Sequence, residues 1–126
     1  MWGPSLVAAN AAIRAGYGVA ALIAPSKPAF GSVPLAPDTE RFPEARLFIR
    51  GFAAHQIGVA LVGLASLVRS DLRRPGLLLA AATDFADIVS AAVEAKARGS
   101  LDSDLTGGIV FSSAGLVSAL VALRTI

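Results

Sequence analysis

The sequence predicts an all-α fold: an integral membrane bundle of four helices, run up-down-up-down as a single domain over residues 1–126. Three observations predict it. The chain is 55% hydrophobic with a mean hydropathy of +0.67, and only 16% of its residues are charged. An ordinary soluble domain carries roughly 25% charged residues, and a chain this short needs more polar surface than that to live in water. The apolar residues gather into four runs of about 17 to 26 residues, the length that crosses a ~30 Å hydrocarbon core. In lipid, helix is the reasonable state for each run, because the backbone must satisfy its own hydrogen bonds. Finally, the last run has no polar face. Between Gly107 and Leu123 the only polar side chains are Ser112, Ser113 and Ser118, whereas a surface helix of a soluble bundle needs a polar stripe.

The first helix is expected over about Ser5–Ala24. Pro4 suits a first helical turn, where the missing N–H costs nothing, and Pro25 ends the run. The first basic residue, Arg14, sits inside the apolar run rather than before it, so this segment is read as a retained helix and not as a cleaved signal peptide. Pro25 to Phe42 contains Pro28, Pro34, Pro37 and Gly31 and is expected to be a loop, lying on the membrane surface or capping the bundle. The second helix is expected over about Pro43–Val68, with Glu44 and Arg46 at headgroup level. Arg69 to Arg74 then forms a charged turn, and the third helix is expected to open at Pro75 and run to about Ala95. Lys96 to Asp104 is read as a polar connection, with Gly107-Gly108 a flexible start to a fourth helix ending near Leu123. Gly115 and Ala119 stand at small-xxx-small spacing, and Gly16, Gly18, Gly51, Gly58 and Gly63 are further candidate points of close helix approach.

Four crossings place both termini on one side. Apart from Arg14 and Arg50 inside the apolar runs, the Lys and Arg residues divide four (Arg69, Arg73, Arg74, Arg124) against five (Lys27, Arg41, Arg46, Lys96, Arg98). The dense arginine turn tips the positive-inside rule toward cytoplasmic termini in a multi-pass protein of the cell membrane.

Several function classes are excluded or disfavoured. A net charge of +2 without basic–aromatic clustering argues against nucleic acid as a partner. The absence of Cys removes thiol chemistry and Cys-based metal sites. No phosphate-binding loop, nucleophile elbow or dinucleotide fingerprint is present, so no cofactor is expected. His55 is the lone histidine and lacks a carboxylate one helical turn on, so no metal is expected either.

The informative residues are the ionisable ones inside the apolar runs. A charge at a helix centre costs about 2.5–3.5 kcal/mol on insertion scales, against a gain of about 0.3–0.6 for each Leu, Ile, Val or Phe. Leu77, Leu78, Leu79, Phe85, Ile88, Val89 and Val93 together supply about 3 kcal/mol, while Asp84 and Asp87 demand about 6 if both are ionised. The third helix therefore needs partners, water or protonation. At ~1.5 Å per residue, Arg14 and Asp84 both fall near the midplane. Asp87 lies about one turn, and His55 a few ångström, toward the side opposite the termini; Arg50 lies ~10 Å that way. Asn10, Arg14 and Tyr17 share one stripe, Asp84 and Asp87 share another, and Gln56 and Thr83 add hydrogen-bonding capacity. These placements predict an Arg14–Asp84 contact across helices one and three, with Asp87 joining Arg50 or His55. Such a network fixes helix register, or it lines a ligand or proton path.

Arg14-Ala15-Gly16, Arg50-Gly51 and the Asp84/Asp87 pair give the chain a resemblance to small uncharacterised four-helix membrane proteins of actinobacteria, and more loosely to the DoxX-like group. That resemblance implies a role in a membrane complex or in redox metabolism; the lack of Cys removes a thiol-based version of the latter, and no catalytic residue carries over. The leading expectation is an accessory or structural membrane component whose partners are the bilayer, a second copy or other membrane subunits. The alternative is a small membrane enzyme or binding protein for a lipophilic molecule, using Asn10, Arg14, Tyr17, Arg50, His55, Gln56, Asp84 and Asp87. Whether it is an enzyme is left open by these residues. Transport of protons or small solutes is disfavoured, because four helices make a pathway only as an oligomer.

Overall fold

A computed structural model describes residues 3–24 and 43–126. Helix α1 spans Gly3–Ile23, α2 Pro43–Val68, α3 Arg73–Arg98 and α4 Ser103–Leu123, with a 3₁₀ turn at Ser70–Leu72 between α2 and α3. The described residues contain no strand. The loop expected over Pro25 to Phe42 lies outside the described residues.

Three boundaries of α3 and α4 differ from expectation, and local hydrogen bonding acts at each. Helix α3 begins before Pro75, at Arg73. Proline is tolerated anywhere in the first turn, since those N–H groups have no intrahelical partner. Arg73 also turns its Nε back to the Ser66 carbonyl at 3.2 Å, which satisfies one of the last carbonyls of α2. At the other end α3 continues through Arg98 to Gly99, whose φ of 68° is left-handed. Gly99 N–H donates to Lys96 O and Ser100 N–H to Ala95 O, the pair of bonds that closes a helix in a Schellman motif. Helix α4 then starts at Ser103 rather than at the Gly107-Gly108 pair. Its N-cap is Asp102, whose Oδ1 accepts from Leu105 N–H at 2.8 Å. Arg98 bridges the junction, donating to Glu94 at 2.6 Å and to Asp102 at 3.0 Å.

The helices form a ring in which each packs on its neighbours in sequence and α4 returns to α1. Packing is closest within the pairs α1/α2 and α3/α4 and lighter at the α2/α3 and α1/α4 seams. Gly3 approaches Thr125, so the start of α1 and the end of α4 lie at the same end of the bundle.

On α1 the buried residues are Gly3, Val7, Ala11, Arg14, Tyr17, Gly18 and Ala21, a single stripe at helical period. Gly18 sets the depth of contact with α2, since a Cβ there would stand 2.7 Å from Ile57 Cγ1 and 2.9 Å from the Ala53 carbonyl. Gly63 meets Ala11 in the same way. By contrast Gly16, Gly51 and Gly58 have open space where a Cβ would go, so these three are not close-approach points.

The bundle has an apolar core around Val7, Val59, Leu77 and Ala119, but beside that core it departs from the pattern of a soluble protein. Its buried residues include Arg14, Gln56, Ser66, Thr83, Asp84 and Ser112, while Ile23, Leu47, Leu61, Val68, Phe85, Val93 and Val110 are each more than 60% exposed or at that level. On α3 the contrast is sharpest, with Thr83 and Asp84 turned inward and Leu78, Phe85, Val89 and Val93 outward. Water would penalise both choices. All four helices are long and apolar enough to cross a membrane.

Candidate functional site

Arg14 is the hub of the interior. Its position on the inner stripe of α1 points a long side chain into the centre of the ring, where it is 3% exposed. Its Nε donates to Asn10 Oδ1 at 2.8 Å, one turn back on the same helix. Its Nη1 donates to Gln56 Oε1 on α2 at 2.6 Å. Its Nη2 ion-pairs with Asp84 on α3 and lies 3.5 Å from the Ala80 carbonyl. Gln56 passes the chain onward, donating from Nε2 to Asp87 Oδ2 at 3.3 Å. On the other side Asn10 Nδ2 donates to Ser118 Oγ on α4 at 3.3 Å, and Ser118 donates to the Gly115 carbonyl at 2.8 Å. One connected polar network therefore touches all four helices.

Asp84 is 1% exposed, and its Oδ2 accepts no hydrogen bond of good geometry beyond the ion pair with Arg14. It fits because α4 presents a glycine opposite it. A Cβ on Gly115 would lie 2.5 Å from Asp84 Oδ2 and 2.9 Å from its Cγ. The small-xxx-small site on α4 thus makes room for a carboxylate.

The expected Arg14–Asp84 contact is present, and Asn10 and Gln56 join it. Tyr17 is buried beside the network, edge-on to Phe52 at 6.0 Å and tilted against Phe111 at 6.1 Å between ring centroids. The expected partners of Asp87 are not its hydrogen-bond partners. Arg50 and His55 are both exposed, and among the described residues no hydrogen bond ties either to the network. His55 nevertheless lies near enough to Asp87 to interact with its charge, whereas the hydrogen bond to Asp87 comes from the adjacent residue, Gln56. Thr83 also stays out, closing on the Leu79 carbonyl of its own helix at 2.9 Å.

Ser118, Gly115 and the Ala80 carbonyl were not among the expected site residues. Ser118 was within reach of the sequence, because the depth argument that aligned Arg14 with Asp84 also aligns Asn10 with the part of α4 about one turn past its middle, where Ser118 lies.

A void of about 10 Å³ lies among α1, α2 and α3, lined by Val7, Asn10, Ser66 and their neighbours. The α1/α4 seam is different. It holds a groove of about 340 Å³. Asn10, Arg14, Asp84, Gly115 and Ser118 line it together with Leu6, Ile13 and Phe111. Ile13 is 53% exposed and Ala9 and Ala114 are exposed as well, so the groove opens sideways through the outer face of the bundle and not along its axis. Among the described residues no group of His, Cys, Asp and Glu is arranged to hold a metal ion. The groove offers an apolar wall, a sideways mouth and a floor of ordered polar groups, which is the make-up of a small-molecule site. No family model matches the chain, and no curated protein or solved structure is detectably similar to it.

Proposed function

We propose that the chain is a multi-pass protein of the cell membrane, with both termini cytoplasmic, that binds a small lipophilic molecule in the α1/α4 groove. The observation that carries this reading is the groove itself, apolar at its mouth and floored by the Arg14–Asp84 network. Large apolar side chains on the outer face, with ionisable residues turned inward beside the apolar core, support the membrane setting. The resemblance to DoxX-like proteins belongs to this proposal and rests on Arg14-Ala15-Gly16, Arg50-Gly51 and Asp84/Asp87 alone.

The test is to purify the protein in lipid nanodiscs and identify bound molecules by native mass spectrometry, beside an Ala114→Trp variant that fills the groove mouth. The expected result is a lipophilic species retained by the wild type and lost from the variant. The same retention in both, or none in either, overturns the reading.

A second reading, an accessory or structural membrane component, is favoured by one observation: Arg14 spends its donors on Asn10, Gln56, Ala80 and Asp84, as a device that holds helices in register would. A protein that runs as a monomer in mild detergent and brings down no membrane partner would remove its basis.

A further inference from the structure

We infer that the groove takes an uncharged molecule that lies wholly within the hydrocarbon and carries a hydroxyl or a carboxamide, and that it excludes amphiphiles with a charged head of either sign, phospholipids among them. This inference rests on the membrane and groove readings above and names the ligand class.

The first argument is depth. The groove runs from Leu6 to Arg14 on α1 and from Phe111 to Ser118 on α4. The apolar spans of these helices, Gly3–Ile23 and Leu105–Leu123, have their midpoints at Ile13 and Ala114. At ~1.5 Å per residue, Asn10 and Ser118 both stand about 5 Å from the midplane, toward the termini. Half of a ~30 Å hydrocarbon core is about 15 Å, which leaves these two groups about 10 Å below the headgroups. A head held at headgroup level does not reach them, and a charge drawn down to them is costly at that depth.

The second argument is the chemistry of the accessible floor. Arg14 and Asp84 are sealed at 3% and 1% exposure and face each other, so neither is left to receive an ion. The other two polar side chains of the lining, Asn10 and Ser118, are neutral and half-buried. Their orientation is fixed from below. Arg14 Nε only donates, so it takes the Asn10 Oδ1 and turns the amide nitrogen of Asn10 toward Ser118. Ser118 gives its own proton to the Gly115 carbonyl. One hydrogen of the Asn10 amide nitrogen and one lone pair of Ser118 Oγ are thereby committed, and each group has a second. The floor therefore keeps an N–H and an acceptor oxygen side by side, on atoms 3.3 Å apart. A hydroxyl or a carboxamide both donates and accepts, and so answers both. An ammonium or a carboxylate answers one and brings a charge that nothing on the accessible floor offsets.

The third argument is the mouth. Ala9, Ile13 and Ala114 are exposed on the outer face, so a ligand enters from hydrocarbon, into which uncharged molecules partition and ions do not. The volume of about 340 Å³ lies at the small end of ligand pockets, roughly 300–1,000 Å³.

The test uses five probes on one decyl chain with a diazirine at the third carbon, so that labelling reports where the head sits: decanol, decanamide, decyltrimethylammonium, decylsulfonate and decane itself. The ammonium and the sulfonate stay charged at every working pH. Wild-type protein in phosphatidylcholine nanodiscs is irradiated with each, and the labelled residues are mapped by mass spectrometry. Leu61 and Leu64, exposed on α2 at nearly the same depth as Asn10 and Ser118, report simple partition into lipid. Decanol and decanamide are expected to label Asn10 and Ser118 at least fivefold more than Leu61 and Leu64, an excess that Ala114→Trp abolishes. The two ions and decane are expected to show no such excess. If either ion shows it as strongly as decanol, the uncharged assignment is wrong while the groove reading stands. If decane shows it as strongly, the polar floor selects nothing and this inference falls, again with the groove reading intact. If no probe shows it, the binding reading falls and this inference falls with it.

Discussion

Removing Arg14 should cost more than removing the charge of Asp84, although the two residues form one ion pair. Breaking a buried pair costs about 3–5 kcal/mol, mostly through the charge left behind. The structure makes the two halves unequal. In Asp84→Asn the guanidinium keeps its bonds to Asn10, Gln56 and the Ala80 carbonyl, so the loss should fall near the lower limit, about 3 kcal/mol. In Arg14→Gln the Asp84 carboxylate is stranded at 1% exposure, and the Asn10 and Gln56 oxygens lose their donor as well. Each buried acceptor left unmade adds about 1–3 kcal/mol, partly offset by the new amide, so the loss should reach about 5 kcal/mol. The double variant should recover at least about 1 kcal/mol relative to the sum, because contacting residues couple. The assay is reversible unfolding in mixed micelles of increasing SDS fraction, followed by helical circular dichroism, for all four corners of the cycle. Losses that add within about 0.5 kcal/mol would refute the pairing. An Asp84→Asn loss larger than that of Arg14→Gln would refute the assignment of Arg14 as the hub.

Gly115→Ala should destabilise by about 1–3 kcal/mol, as overpacking does, because its Cβ overlaps Asp84. Gly16→Ala, which meets open space, should be neutral or stabilise by up to about 1 kcal/mol, and the same unfolding assay reads both. Arg50→Ala, on an exposed position of α2, should shift stability by no more than about 0.5 kcal/mol; a loss like that of Arg14→Gln would mean that Arg50 belongs to the network. Asp102→Ala should cost about 1 kcal/mol of capping energy and speed hydrogen–deuterium exchange at Leu105, whose N–H it caps at 2.8 Å. Unchanged exchange at Leu105 would show that the cap carries no local stability.

The four helices were legible in the sequence because apolar run length is a one-dimensional property. The Arg14–Asp84 contact was legible because depth follows from residue count along a helix. What stayed hidden was rotation about the helix axis. His55 and Gln56 share nearly one depth, and α2 carries little amphipathic contrast, so the sequence does not say which of the two faces inward. The fourth helix posed the same difficulty, and Ser118 passed as a tolerated serine. The early start of α4 was hidden for another reason: Asp102 and Asp104 both read as loop residues, and only the bond to Leu105 N–H distinguishes the cap.

The ring is assembled from two tightly packed hairpins, α1/α2 and α3/α4, joined along two looser seams. In a bilayer this division has a temporal meaning. The first hairpin, synthesised first, would carry Arg14 and Gln56 into the membrane before the third helix exists. The nascent α3, whose aspartates make it a poor spanning segment by itself, then meets a guanidinium and an amide already at its own depth. The first hairpin would act as a receptacle for the second, and chain order would decide which charge waits for which. A circular permutant that makes α3 and α4 before α1 would keep every contact of the finished ring and still insert α3 less efficiently.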